Sequence, residues 1–142
     1  MKIRPIIQDS LKTTHTSYDV DIELGHNITF ICGESGIGKS AMYYFLQELA
    51  IENKKIRCLN HLDQNKNYKN TIKQSRGKLF VIDNADILLD TKMRQYIAMD
   101  TKNQYVIIGR NPEGLMLTKD EIYELCSQTT NGRTRFTIRN CF

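Results

Sequence analysis

The chain has 142 residues, of which 40% are hydrophobic and 25% charged, and this is the composition of an ordinary globular protein of one domain. No apolar run approaches the roughly 20 residues of a membrane-spanning helix, and the N-terminus lacks the apolar core of a secretion signal. The net charge of +4 permits an anionic partner without requiring one. We therefore expect a single domain over residues 1–142, in the cytoplasm and without a membrane partner.

The first predicted elements are antiparallel strands. Residues 3–7, IRPII, form a short apolar run interrupted by Pro5, which suits an edge strand. Residues 17–24, SYDVDIEL, alternate between apolar and polar side chains, which is the pattern of a half-buried strand. A tight turn at 25–27 then leads into the next strand. We expect these elements to form an antiparallel N-terminal lead-in.

From residue 28 onward the pattern alternates between strands and helices. Continuous apolar runs predict buried strands, and apolar residues at helical spacing predict helices between them. Strands are predicted at 28–32, 56–60, 78–83, 105–109 and 134–142. Helices are predicted at 39–52, 64–75 and 90–99, and a fourth should begin at a capping box formed by Thr118 and Glu121. Such alternation is typical of a parallel sheet with helices on both faces.

The sequence GESGIGKS lies between the strand at 28–32 and the helix at 39–52 and matches the pattern G-x-x-x-x-G-K-[ST]. Glycines let the backbone N–H groups of such a loop point at phosphate oxygens, and the helix N-terminus favours an anion at the same place. Lys39 supplies a cation for the β- and γ-phosphates, and the Ser40 hydroxyl is placed to ligate Mg²⁺. The predicted nucleotide-binding residues are Gly33, Glu34, Ser35, Gly36, Ile37, Gly38, Lys39, Ser40 and Ala41.

With this loop, the chain resembles the P-loop NTPases, and two further segments extend the resemblance. KLFVIDNAD resembles their second motif, which implies that Asp83 holds the Mg²⁺ shell together with Ser40. QYVIIGRN resembles the strand that carries a polar sensor in the branch that includes AAA+, RecA-like and ABC-type ATPases. The antiparallel lead-in is similar to the opening of ABC-type domains.

The resemblance implies a fold and its ligands. The fold would be a three-layer α/β P-loop NTPase fold with a mostly parallel sheet and an antiparallel N-terminal lead-in. The implied strand order is 5-1-4-3-2, for strands near residues 134, 28, 105, 79 and 56. The implied cofactors are ATP or GTP, together with Mg²⁺.

The chain departs from the family at the position that activates water. In many hydrolytic members a glutamate follows the acid of the second motif, whereas here Asn84 does. Asp86 and Glu34 are two candidate substitutes, and Arg110 is a candidate contact for the γ-phosphate. No L-S-G-G-Q signature is present, and no helical lid of the AAA+ kind fits the length. We take Lys39, Asp83, Asp86 and Arg110 as the candidate catalytic residues.

Three functions therefore stay open. The first is an ATP-binding protein with slow or partner-stimulated hydrolysis, in which a protein partner or a second copy of the chain supplies an activating residue. The second is a nucleotide-dependent adaptor or a nucleic-acid-associated assembly protein without significant turnover, and the third is a small-molecule kinase. The basic residues Lys66, Lys69, Lys73 and Arg76 would share one helix face, which is either a nucleic-acid or acidic-protein contact or an ordinary solvated surface.

The four cysteines contain no C-x-x-C pair, and we interpret them as free thiols. Cys58 and His61 have a C-x-x-H spacing, but no second pair completes a zinc site.

Overall fold

In the computed structural model of the chain, which describes residues 7–32, 38–64 and 67–142, one mixed sheet of eight strands curls into a half-barrel. Its strands are β1 (Ser10–Thr14), β2 (Tyr18–Glu23), β3 (Ile28–Cys32), β4 (Ile56–Leu59), β5 (Leu79–Ile82), β6 (Gln104–Ile108), β7 (Ile122–Thr130) and β8 (Arg133–Asn140). The α-helices are α1 (Lys39–Glu52), α2 (Tyr68–Gln74), α3 (Ala85–Leu88) and α4 (Thr91–Met99). Within the described ranges, no helix has the length and apolarity needed to cross a membrane.

The strands follow the order β1-β2-β8-β7-β3-β6-β5-β4 across the sheet. The five strands from β7 to β4 pair in parallel with one another, and β2 pairs in parallel with β8. The pairs β1–β2 and β7–β8 are antiparallel. As the sequence predicted, β6 lies between β3 and β5.

The predicted three-layer, mostly parallel P-loop fold is wrong, because the sheet is mixed and its helices are few. The long β7–β8 hairpin, in register from Tyr123↔Asn140 to Thr130↔Arg133, carries the sheet on to β2 and β1. Of the helices in the described ranges, α1, of 14 residues, packs on one face, while α2, α3 and α4, of 7, 4 and 9 residues, pack on the other. These helices are too short and too few to cover both faces of eight strands.

The helix predicted from the capping box is also wrong. The capping box itself forms, since the Thr118 N–H donates to Glu121 Oε1 at 3.0 Å, but it encloses only a 3₁₀ turn at Lys119–Glu121. The chain then continues as β7, whose backbone pairs with β3 on one side and with β8 on the other. The position beside β3 that the sequence assigned to the strand near residue 134 is thus occupied by β7.

The N-terminal lead-in differs from the prediction in its pairing. An antiparallel pair exists, but its first strand is β1, which sequence reasoning missed, because SLKTT has only one strongly apolar residue. Residues 3–6 of the predicted edge strand lie outside the described residues. The turn at 25–27 does not close a hairpin, because β2 pairs with β1 and β8 while β3 pairs with β6 and β7.

The core has two apolar clusters, one on each face of the sheet. Along β5, Leu79 and Val81 face the cluster that contains α1, whereas Phe80 and Ile82 face the cluster that contains α2 to α4. All four side chains are fully buried. Burial on both faces explains why β5 reads as a continuous apolar run without alternation.

The missed strand β1 yields a stability prediction. Leu11 is its one fully buried residue, so Leu11→Ala should lower the free energy of unfolding by about 2–5 kcal/mol, the usual cost of truncating a buried leucine. Urea unfolding followed by circular dichroism measures this change. The matched control is Lys12→Ala, whose exposed ion pairs with Asp21 and Glu23 should cost less than about 1 kcal/mol. Equal stability of the two variants would show that β1 does not belong to the core.

Candidate functional site

A cavity of about 370 Å³ opens at the carboxyl ends of β5 and β6, beside the N-terminus of α1. Because β3, β6 and β5 are parallel neighbours, the segments that follow them meet at one edge of the sheet. The cavity is lined by Gly38, Lys39, Ser40, Asp83, Asn84, Asp86, Ile108, Gly109 and Arg110.

The structure brings most of the predicted site residues together. Lys39 and Ser40 begin α1, Asp83 follows β5, Asp86 lies in α3, and Arg110 follows β6, and all of them line the cavity. Ala41, which was predicted to bind nucleotide, is not among the lining residues and packs against the core cluster below α1. Gly33, Glu34, Ser35, Gly36 and Ile37 lie outside the described residues.

The backbone and the packing at position 38 both favour glycine. Its φ of 98° lies in the left-handed region that side chains disfavour. A Cβ at this position would also lie 2.8 Å from Cε1 of Phe136 on β8. Phe136 in turn stacks against Tyr18, with ring centroids 6.0 Å apart and planes 4° from parallel. An aromatic group on β2 and β8 therefore supports the backbone at the point where the loop enters α1.

The carboxyl group of Asp83 is half-buried at the end of β5, and its surroundings oppose ionisation. Burial raises its pKa above the ordinary value, and only part of this effect is offset by the Asn84 N–H and by the charges of Lys39 and His61. The ionised form of Asp83 is therefore less favourable in the folded protein than it would be in water. A cation bound beside it would relieve that cost.

The donors at the cavity fit Mg²⁺ bound together with a phosphate ligand. Ser40 offers a hydroxyl and Asp83 a carboxylate, both of them hard oxygen donors. Among the described residues, no group of three His, Cys, Asp or Glu side chains could hold a metal ion by itself. Mg²⁺ in proteins is commonly bound through one or two carboxylates together with substrate phosphates and water.

Asp86 holds the segment that follows β6. Its Oδ2 accepts a hydrogen bond from the Arg110 N–H at 2.7 Å, and its Oδ1 accepts one from the Asn111 N–H at 3.0 Å. The carboxylate lies so close to Gly109 that a Cβ there would be 3.2 Å from Oδ1. Through these contacts Asp86 positions the backbone at Arg110, and its predicted catalytic role stays a prediction.

Arg94 completes this arrangement, and sequence reasoning missed it. The side chain, in α4, is 8% exposed. Its Nη1 donates to the Asn111 carbonyl at 2.6 Å and the Glu113 carbonyl at 2.8 Å, and its Nη2 lies 3.4 Å from Oδ1 of Asp86. The available signal was its position beside Met93 and three residues before Ile97, on the buried face of a predicted helix.

His61 is a second residue that sequence reasoning set aside. The side chains of Asn84 and His61 are hydrogen-bonded, with Asn84 Nδ2 lying 3.0 Å from His61 Nδ1. His61 follows β4 just as Asn84 follows β5, and the two strands are parallel neighbours. The predicted order of the strands could have identified His61, since residues that follow adjacent parallel strands come together.

Two residues of the predicted basic stripe make contacts within the chain, and Arg76 lies beyond the end of α2. Lys69 forms an ion pair with Asp90 at 2.5 Å, and Lys73 lies over the ring of Tyr96 at 5.7 Å from its centroid. Tyr68, the aromatic residue of this segment, is buried and donates to the Leu88 carbonyl. Lys66 lies outside the described residues. These contacts favour the interpretation of this helix face as a solvated surface.

Comparison with known proteins adds no family: no protein-family model and no curated protein matches the chain.

The raised pKa of Asp83 predicts that Asp83→Asn stabilises the protein at neutral pH. A carboxyl whose pKa is raised by folding favours the folded state below its unfolded value of 3.8, and this contribution is lost as the pH rises through the folded pKa. Above the unfolded pKa the acid therefore destabilises the folded state relative to a neutral side chain, and the amide removes this cost. Thermal unfolding at several pH values should give Asp83→Asn the higher Tm at pH 7, with a difference that shrinks as the pH falls through the folded pKa.

The control for this prediction is Asp9→Asn, which removes the same charge at an exposed position. Its Tm should stay close to that of the wild type at every pH. A Tm of Asp83→Asn below the wild type at pH 7 would contradict the argument from burial.

Proposed function

We propose that the protein binds ATP or GTP together with Mg²⁺, and that it hydrolyses the nucleotide slowly or only with a partner. The proposal rests on one observation above all. Lys39, Ser40, Asp83 and Arg110 come from three distant segments of the chain and line one cavity beside the N-terminus of a helix. Two cations, a hydroxyl and a half-buried carboxylate at such a place suit a polyphosphate with a divalent cation.

Each residue has a role in this binding. Lys39 neutralises charge on the β- and γ-phosphate oxygens, and the backbone near Gly38 donates N–H groups to them. Arg110 is the second cation, and Asp86 holds its backbone at the cavity. Ser40 and Asp83 would hold Mg²⁺, which supplies further neutralisation of the phosphate charge. The resemblance to P-loop NTPases therefore enters our proposal through the site residues and their ligand, and not through the fold.

Slow hydrolysis follows from the state of the carboxylates that line the cavity. Both oxygens of Asp86 already accept hydrogen bonds, and Asp83 is assigned to the cation. Asn84 occupies the position after the acid, is bonded to His61, and cannot take a proton as a carboxylate does. Among the described residues that line the cavity, no carboxylate is therefore left to orient water.

That no cavity-lining carboxylate of the described residues is left to orient water also favours a second candidate, a nucleotide-dependent adaptor without significant turnover. An adaptor needs the phosphate and Mg²⁺ contacts but no group that orients water. Phosphate release from ATP or GTP distinguishes the two functions, because the adaptor releases none even when its partner is present.

Lys39→Ala should weaken binding of MgATP or MgGTP by about ten- to a hundredfold. A hydrogen bond to a charged group contributes about 1.5–3 kcal/mol, and the change removes this contact while leaving the backbone donors in place. Isothermal titration calorimetry measures the dissociation constant directly.

The matched control is Lys102→Ala, which removes the same charge at an exposed residue before the amino end of β6, away from the cavity. It should bind nucleotide as the wild type does. Unchanged affinity in Lys39→Ala would overturn the assignment, and so would equal weakening in both variants.

Turnover by the isolated chain should be far below the ordinary range of about 1–10³ s⁻¹. An arginine supplied by a partner can raise phosphoryl-transfer rates by about 10³–10⁵, so the rate should rise when such a surface is added. Phosphate release measured across protein concentration detects a second copy of the chain acting as that partner.

Two further variants sharpen the measurement. Arg110→Ala should lower the residual rate, because it removes the cation nearest the end of β6, whereas Lys102→Ala should not. A rate within the ordinary range, independent of concentration and measured on a monomer, would show that the chain carries a complete hydrolytic site.

A further inference from the structure

Two cysteines that are 109 residues apart in sequence lie side by side at the edge of the candidate site. The Sγ atoms of Cys32 and Cys141 are 3.5 Å apart, and both side chains are partly exposed. Cys32 is the last residue of β3, directly before the glycine-rich loop, and Cys141 follows β8. Neither residue is fully buried.

Backbone and side-chain hydrogen bonds hold Cys141 in this position. Its own N–H donates to the Ile122 carbonyl at 3.1 Å. The side-chain amide of Asn140 donates to the carbonyls of Lys119 and Ile122 at 2.8 and 3.2 Å. On the other side, Cys32 is held by the pairing of β3 with β7, where it lies opposite Glu124. The approach of the two sulfurs is thus part of the fold.

We propose that Cys32 and Cys141 form a reversible disulfide, and that this disulfide weakens nucleotide binding at the candidate site. The first half of the proposal concerns the two thiols alone. The second half rests on the proposed nucleotide-binding function.

The oxidant that fits this chemistry is a small disulfide such as oxidised glutathione. The thiolate of one cysteine attacks a sulfur of that disulfide, which forms a mixed disulfide and releases one glutathione thiolate. The thiolate of the second cysteine then attacks the first cysteine's sulfur, which forms the Cys32–Cys141 bond and releases the second glutathione. Two protein thiols are oxidised, one glutathione disulfide is reduced to two thiols, and two protons pass to the released thiolates or to water.

The surroundings of Cys141 set the rate of this reaction. Burial raises the pKa of its thiol to about 12, and the neighbouring Cys32 and the carboxylate of Glu124 act in the same direction, against the charge of Arg139. The thiolate fraction is therefore small at neutral pH and grows as the pH rises, so oxidation should be slow near pH 7 and faster near pH 9.

Bond formation requires the two sulfur atoms to move closer together. A disulfide brings the sulfurs to about 2.05 Å, so they must approach by roughly 1.5 Å from their present 3.5 Å. Because β3 ends at Cys32, the movement shifts the end of this strand, where the Ile31 carbonyl accepts the N–H of the cavity-lining Gly109 at 3.1 Å. Loss of one backbone N–H contact to phosphate would weaken binding by about three- to tenfold.

The test begins with the wild-type chain in glutathione redox buffers at pH 8. After the remaining thiols are blocked, peptide mapping by mass spectrometry under non-reducing conditions should recover the peptides of Cys32 and Cys141 joined to each other. Dithiothreitol should separate them. The oxidised protein should also show a Tm higher by on the order of 10 °C, because the bond closes a loop of more than 100 residues.

Control variants assign these effects to the pair. Cys141→Ser should lose both the linked peptides and the rise in Tm. The double variant Cys58→Ala with Cys126→Ala should keep both, and it leaves Cys32 and Cys141 as the two remaining cysteines. Should the double variant fail to fold, the wild-type peptide map still decides which cysteines are joined.

The nucleotide arm uses calorimetry with MgATP on the reduced and oxidised wild-type protein. We expect a dissociation constant three to ten times larger for the oxidised form, and no change in Cys141→Ser under the same treatment. Failure to form the bond under a strongly oxidising glutathione buffer overturns the whole proposal. A bond that forms without changing the affinity of a protein that binds nucleotide overturns its second half. Absence of binding in both states contradicts the proposed function and leaves the disulfide standing.

Discussion

The backbone hydrogen bonds that join β3, β6 and β5 in parallel are the constraint on which the candidate site depends. Parallel neighbours end at the same edge of a sheet, so residues that are far apart in sequence, such as Ser40, Asp83 and Arg110, line one cavity. All three strands are buried on both faces, which fixes their register through packing as well as through hydrogen bonding. A site built on such strands is held more precisely than one carried by loops alone.

Two carboxylates three residues apart differ because their surroundings differ. Asp83 is half-buried, and its neighbours offset only part of the effect of burial on its pKa, which suits the proposed role of binding a cation. Asp86 accepts hydrogen bonds from two backbone N–H groups and faces Arg94, which suits a residue that holds a chain segment in place. This division is the basis of our proposal that the site binds a phosphate ligand and activates water poorly.

Sequence reasoning was accurate where local pattern and final environment coincide. The apolar runs of β3, β5 and β6 appear as strands because burial on both faces demands apolar side chains at every position. It failed for β1 and β7, whose strand state depends on pairing partners elsewhere in the chain. The capping box at Thr118 and Glu121 is real, yet it encloses only one turn, because a local cap cannot outweigh two strand partners for the residues that follow.

The sequence by itself determined the loop motif, the acid after β5 and the arginine after β6, because each is a short local pattern whose chemistry is written in its residue types. Only the tertiary structure decided that the sheet is mixed, that Asp86 accepts two backbone N–H groups after β6, that Arg94 holds the same segment, and that His61 is hydrogen-bonded to Asn84. It also brought Cys32 beside Cys141 across 109 residues. These features depend on strand order and on contacts between distant segments. No local pattern encodes such contacts, because backbone pairing does not require particular side chains and many different sequences can form the same pair.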